Sequence, residues 1–168
     1  RKLEAFLPLY PVTIVYPVTH LKWLRWVNEE TGEVSKPRKS PKVGSAVSVF
    51  PELYRLKMFL PNQQLKFHIV LLDVEEYRLL NGWSKDKKKG STRNDGIPTD
   101  LFDIVTLETI SDFAQLLPSG LPDEFTSTDL KQLLRCNKAL AGVMLNILAH
   151  IGVIHKTGKK GNSIIYSR

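Results

Sequence analysis

Cysteine is nearly absent: Cys136 stands alone in 168 residues. A single thiol excludes an internal disulfide framework and points to a reducing, cytoplasmic setting. Long apolar runs are missing too. None approaches the roughly 20 residues that a helix needs to cross a bilayer. The N-terminal stretch has no secretory pattern either, so no membrane partner is expected. Arg1 stands first rather than Met, as expected of the C-terminal part of a longer chain. Acidic residues are outnumbered, 17 against 24 lysines and arginines, which leaves a net charge of +7. That excess favours an anionic partner, with nucleic acid ahead of a membrane surface. Signatures of site chemistry are equally thin. The histidines, His20, His68, His150 and His155, are scattered without metal-ligand spacing. "GKKGNS" lacks the spacing and the following helix of a phosphate loop. No catalytic residue, metal site or cofactor is therefore expected.

What is present begins with "VTIVYPV" (12–18), short and β-branched, which reads as a strand. "LKWLRWVNEETGEVSKPRK" (21–39) alternates around an E-E-T-G turn and predicts a β-hairpin. Trp23 and Trp26, three apart, fall on opposite strand faces, so at most one is a surface stacking platform. Leu53, Leu56 and Leu60 give residues 46–60 helical spacing, with Pro51 tolerable in the first turn. "LKFHIVLLDV" (65–74) is the near-continuous apolar run of a central buried strand, and residues 75–80 read as a short helix. "NGWSKDKKKGSTRNDGIPT" (81–99) reads as a long polar loop. Short helices are expected near 101–107 and 110–117, and "PSGLPDE" (118–124) is the best linker candidate.

From Phe125 onward the pattern is more specific. Thr126 or Ser127 caps a short helix ending at Leu134, and Arg135-Cys136-Asn137 is a tight turn. A second helix carries Leu140, Val143, Met144, Ile147, Leu148 and Ile151 on one face, and Gly152 ends it. "VIHKTGKKGNSIIYSR" then reads as strand, glycine-lysine turn, strand. The stretch "FTSTDLKQLLRCNKALAGVMLNILAHIGVIHKTGKKGNSIIY" resembles a winged helix-turn-helix domain. The resemblance implies a second helix entering the major groove and a wing on the adjacent backbone. It carries those roles to Asn137, Lys138, Asn146 and His150 on the helix. On the wing it points to His155, Lys156, Lys159, Lys160 and Asn162. The helix departs from the family pattern, with one lysine, no arginine, and small or apolar residues at Ala141, Gly142, Leu145 and Ala149. An Ala141/Leu145/Ala149 surface would suit dimerisation, and Gly142 suggests close backbone packing.

The N-terminal order of strand, hairpin, helix and strand is weakly similar to a PD-(D/E)xK nuclease core. That resemblance implies carboxylates converging on Mg²⁺ beside a lysine. The literal D-x-K matches, Asp86-x-Lys88 and Asp129-x-Lys131, fall in the polar loop and the capped helix, and Glu33-x-x-Lys36 has the wrong spacing. Asp73 and Glu75, with Glu52, are the alternative metal candidates. The whole chain is similar to an uncharacterised bacterial protein family. Basic clusters at Lys36, Arg38, Lys39, Lys42 and at Lys85, Lys87, Lys88, Lys89, Arg93 add phosphate-binding capacity. The expected architecture is α+β, a mixed α/β domain over 1–110 followed by a winged helix-turn-helix over 111–168. The expected function is non-catalytic binding of nucleic acid, double-stranded DNA, with phosphate contacts dominating. A protein-interaction or homodimerisation module is the first alternative, and a Mg-dependent nuclease on the N-terminal domain is the second.

Overall fold

The computed structural model describes residues 2–81 and 90–168. Lys85, Lys87, Lys88 and Lys89 lie outside the described residues. The architecture is α+β, with a four-stranded and a three-stranded sheet and four α-helices among the described residues. The chain groups into two compact units that are not consecutive stretches. The first holds Arg1–Tyr16, Val47–His68 and Thr106–Arg168, and the second holds Pro17–Ala46 and Ile69–Val105.

Strands β1 (Val12–Val27), β2 (Arg38–Lys39), β3 (Leu65–Leu79) and β4 (Thr92–Leu107) form one sheet in the order β2-β1-β3-β4. The expected hairpin is there: β1 pairs antiparallel with β2, Trp23 opposite Lys39 and Leu24 opposite Arg38. Asn28 Oδ1 accepts the Glu30 amide in the turn, as turn asparagines do. Trp23 and Trp26 are both half-buried, and Lys39 Nζ lies 5.9 Å from the Trp23 ring centre. In β3 the buried positions run Leu65, Phe67, Ile69, Leu71 and then slip by one to Val74 and Glu76.

Two sequence expectations fail in this sheet. Residues 75–79 are strand, not helix, because Glu75 and Glu76 are partners of cations on β1. Residues 92–107 form a long strand, where the sequence suggested a loop and then a helix. β4 is an edge strand, where Gly96 and Pro98 are tolerated because one row of backbone groups is unpaired.

The first unit begins with α1 (Lys2–Phe6). A 3₁₀ turn at Ala46–Val49 leads into α2 (Phe50–Arg55), with Pro51 in its first turn, and a second 3₁₀ turn covers Lys57–Phe59. A third, Ile110–Leu116, packs Phe113 edge-on against Phe67. The candidate linker is packed rather than free. Leu121 is buried, Arg168 donates to the Pro118 and Leu121 carbonyls, and β5 (Glu124–Phe125) pairs with the last strand.

Helix α3 (Ser127–Leu134) starts at a capping box. The Thr126 hydroxyl accepts the Thr128 amide, and the Asp129 carboxylate accepts the Thr126 amide at 2.7 Å. Arg135 closes it in the left-handed region at φ 47°. Helix α4 (Lys138–His150) follows at once, capped by Asn137 Oδ1 on the Leu140 amide. Gly152, at φ +78°, ends it, and the Val153 amide reaches back to the Leu148 carbonyl in a Schellman closure. The buried face of α4 is wider than the expected stripe. Ala141 and Leu145 are buried with Met144, Ile147 and Leu148, because α2 as well as α3 packs on this helix. The Ala141/Leu145/Ala149 dimer surface therefore does not exist as an exposed patch.

β6 (His155–Lys160) and β7 (Ser163–Ser167) close the chain as a hairpin, in the sheet order β5-β7-β6. Gly161, at φ +60°, and Asn162 make its two-residue turn, a position that demands positive φ. Val153 and Ile154 precede the first strand instead of forming it, so Lys156, Lys159 and Lys160 all lie on β6.

Candidate nucleic-acid interface

The C-terminal segment concentrates the chain's charge. Residues 125–168 carry seven lysines and arginines against Asp129 alone, a net +6 of the total +7. Local chemistry exposes much of it. All six residues of β6 are exposed, since the other side of the hairpin supplies the packing residue Tyr166, which stacks with Phe125. On α4 Lys138, Gly142, Asn146 and His150 lie away from the buried face and are exposed.

A groove of about 560 Å³ runs between this face of α4 and the hairpin. Asn146, His150, His155 and Lys156 line it, over a floor that includes Ile154 and Tyr166. Among the described residues no aspartate or glutamate lines it. Gly142 also lines it, and a Cβ built there meets nothing within 4 Å. The close packing expected of Gly142 is therefore not made by the described residues.

The other candidates are placed differently. Asn137 spends its side-chain oxygen on the α4 cap. Lys138 is exposed in the first turn of α4, and Lys159, Lys160 and Asn162 lie toward the hairpin turn, outside the groove lining. The Asp129 carboxyl is held below its ordinary range, first by the Thr126 amide and hydroxyl and in small part by the charge of Lys160. Part of the Lys160 field is thus answered from α3. Arg93 is on β4, in the second unit.

In that second unit several charged side chains are paired across strands. Arg25 makes a two-armed contact to Glu75, Nε and Nη2 each 3.0 Å from an oxygen, and the Tyr77 hydroxyl adds a third donor. The Arg25 hydrogen bonds hold the Glu75 carboxyl below its usual range. Asp73 Oδ1 lies 2.9 Å from His20 Nδ1 and accepts the Leu21 amide, while His20 stacks on Phe102 at 3.6 Å. Glu52 is taken by Arg55 on α2. Each carboxylate proposed as a metal ligand thus already has a cationic or ring partner. Among the described residues no group of three or more His, Cys, Asp or Glu is placed to hold a metal ion. No helix among them is long and apolar enough to cross a membrane.

A family model described as "Domain of unknown function (DUF8091)" matches residues 1–108. The chain belongs to this family. A Treponema pallidum (strain Nichols) protein described as "Uncharacterized protein" is 30% identical over 176 aligned residues. That alignment covers 99% of the chain and 65% of the relative, so the chain spans about two-thirds of that protein's length. No solved structure matches the chain.

The DUF8091 match ends before α3, so all of the groove lining except Lys57 lies in the segment beyond it. The relative's alignment extends over that segment as well. Sequence reasoning missed Lys57, which joins the groove lining from the turn after α2. Only tertiary packing brings it there. It also missed the ion pairs of the DUF8091 part. Their trace in the sequence is the spacing of Lys22 and Arg25 on one predicted strand and Glu75 and Glu76 directly after another.

Proposed function

We propose that residues 111–168 are a winged helix-turn-helix domain and that the protein binds nucleic acid, double-stranded DNA, without catalysing a reaction on it. The observation that carries this reading is the acid-free groove between α4 and the β6–β7 hairpin, lined by Asn146, His150, His155, Lys156 and Lys57. The exposed face of α4 takes the major groove. The hairpin, with Lys156, Lys159 and Lys160, tracks the adjacent phosphates. Gly142 supports this, because a bare backbone on that face lets a partner approach closely. One lysine and no arginine on α4 make the contribution of base readout small beside that of phosphate contact. The lone Cys136 fits a reducing, cytoplasmic setting for that work.

The test is duplex binding by the full chain over a salt titration. Each phosphate contact contributes about −0.9 to the slope of log K against log salt. Lys159→Ala/Lys160→Ala is expected to make the slope shallower by about 2. Absence of binding at low salt, or binding that salt does not weaken, would refute the reading.

A further inference from the structure

The cluster around Glu76 carries more positive charge than one carboxylate needs. Glu76 is 1% exposed and accepts from Lys22 Nζ and Arg78 Nε, with Arg93 Nε 3.7 Å from the oxygen that Lys22 holds. Among the described residues, three cations against one carboxylate leave an excess of two charges. Either close partner alone would neutralise Glu76, and crowding further cations beside it costs free energy unless another anion joins them. The cations are not sealed in. Their side chains are 31%, 30% and 65% exposed for Lys22, Arg78 and Arg93. They stand on β1, β3 and β4, neighbouring strands of one sheet, so the ladder fixes their spacing.

A buried polar group stands close by in the sequence. Ser91 is 3% exposed, and its hydroxyl has no hydrogen-bond partner among the described residues. A buried hydroxyl left unpaired is costly, and such groups are rare unless a ligand or water meets them. Ser91 sits two residues before Arg93.

We propose that Lys22, Arg78 and Arg93 form a phosphate-binding site in the second unit, with Glu76 fixing the cations and the Ser91 hydroxyl as the neutral donor. Two excess charges match a phosphate dianion, and the planar guanidinium forks of Arg78 and Arg93 suit its oxygens. The site is independent of the C-terminal interface and stands or falls without it.

Equilibrium dialysis of the full chain against labelled inorganic phosphate at low ionic strength tests it. The expected result is saturable binding at one site. Arg93→Gln is expected to weaken it by about tenfold or more, the loss of one charge-assisted contact, and Arg93→Lys to recover part. Arg93 makes no hydrogen bond to Glu76 and is largely exposed, so a melting temperature near that of the parent verifies that the variant is folded. Lys159→Ala/Lys160→Ala is expected to leave phosphate binding unchanged. No saturable binding by the parent, unchanged binding in Arg93→Gln, or equal loss in the hairpin variant would overturn the proposal. A duplex titration identifies the source of the phosphate once the dialysis result is positive. Duplex binding weakened in Arg93→Gln, with a shallower salt slope, marks a nucleic-acid backbone, and unchanged duplex binding marks a free phosphate compound.

Discussion

Glu76→Gln isolates the contribution of a buried charge to stability. The substitution keeps shape and one carbonyl acceptor but removes the negative charge that Lys22, Arg78 and Arg93 surround. Breaking a fully buried ion pair by deleting one partner costs about 3–5 kcal/mol. Here the stranded cations are roughly one-third exposed or more, so water recovers part of that loss. A cost of about 2–3 kcal/mol is expected once this relief is allowed for. At about 2–4 °C per kcal/mol for a chain of this length, the melting temperature falls by roughly 4–12 °C. The effect depends on pH, and its sign follows from the direction of the shift. The hydrogen bonds and charges of Lys22 and Arg78 hold the Glu76 carboxyl below its ordinary range, against the opposing effect of burial. A depressed folded value means that the stabilisation is complete above the unfolded glutamate value of about 4.3 and is lost as pH falls through the folded one. Thermal melts by circular dichroism should therefore show the full gap between parent and variant at neutral pH, narrowing progressively as pH falls below about 4.3. A gap under about 1 °C at neutral pH, or one that acid leaves unchanged, would refute the reasoning.

Three further substitutions test local stability, and the first of them also tests binding. Gly142→Ala adds a methyl that meets nothing in the chain, so it should raise stability by about 0.8–1 kcal/mol. The same methyl should weaken duplex binding if a partner lies against α4, and unchanged affinity in a titration would argue against that face as the interface. Thr126→Ala removes the α3 cap and should cost about 1 kcal/mol in urea unfolding. Asp129→Asn should destabilise at neutral pH, with the difference fading as acid protonates the depressed Asp129 carboxyl of the parent; a difference that persists in acid would exclude the capping charge as its cause.

The last third of the chain was legible because its signals are local. Thr126 and Asp129 three apart, Asn137 before an apolar stripe and Gly152 after it each act within a few residues, whereas the hairpin turn falls at Gly161-Asn162, beyond the glycine-lysine stretch read as the turn. The sheet was harder to read because its determinants are distant in sequence. Glu75, Glu76, Tyr77 and Arg78 look like an exposed helix until Lys22 and Arg25 are placed beside them, some 50 residues earlier. β4 carries Gly and Pro in its interior, which forbids a central strand but not an edge, and edge position is a property of the sheet. The same non-locality explains the groove. Asn146, His150, His155 and Lys156 were within reach of pattern reasoning, but nothing in "RLKMFL" announces that Lys57 joins them.

How charge is used differs between the two parts of the sequence, and this bears on where an anion would be felt. In residues 1–124 the cations nearly balance the acids, 17 to 16, and pairs such as Lys22–Glu76, Arg25–Glu75, Arg55–Glu52 and Lys66–Glu108 spend many of them. Among the described residues no lysine or arginine of 125–168 enters an ion pair. Paired charges cancel beyond a few ångströms, whereas unpaired ones add to a field that extends about 8–10 Å at physiological salt. An approaching polyanion would therefore be steered by the C-terminal segment, even if the proposed Glu76 cluster site held a phosphate more tightly once it arrived. Affinity for a small anion and salt-sensitive capture of a long one would then report on different residues of the same chain.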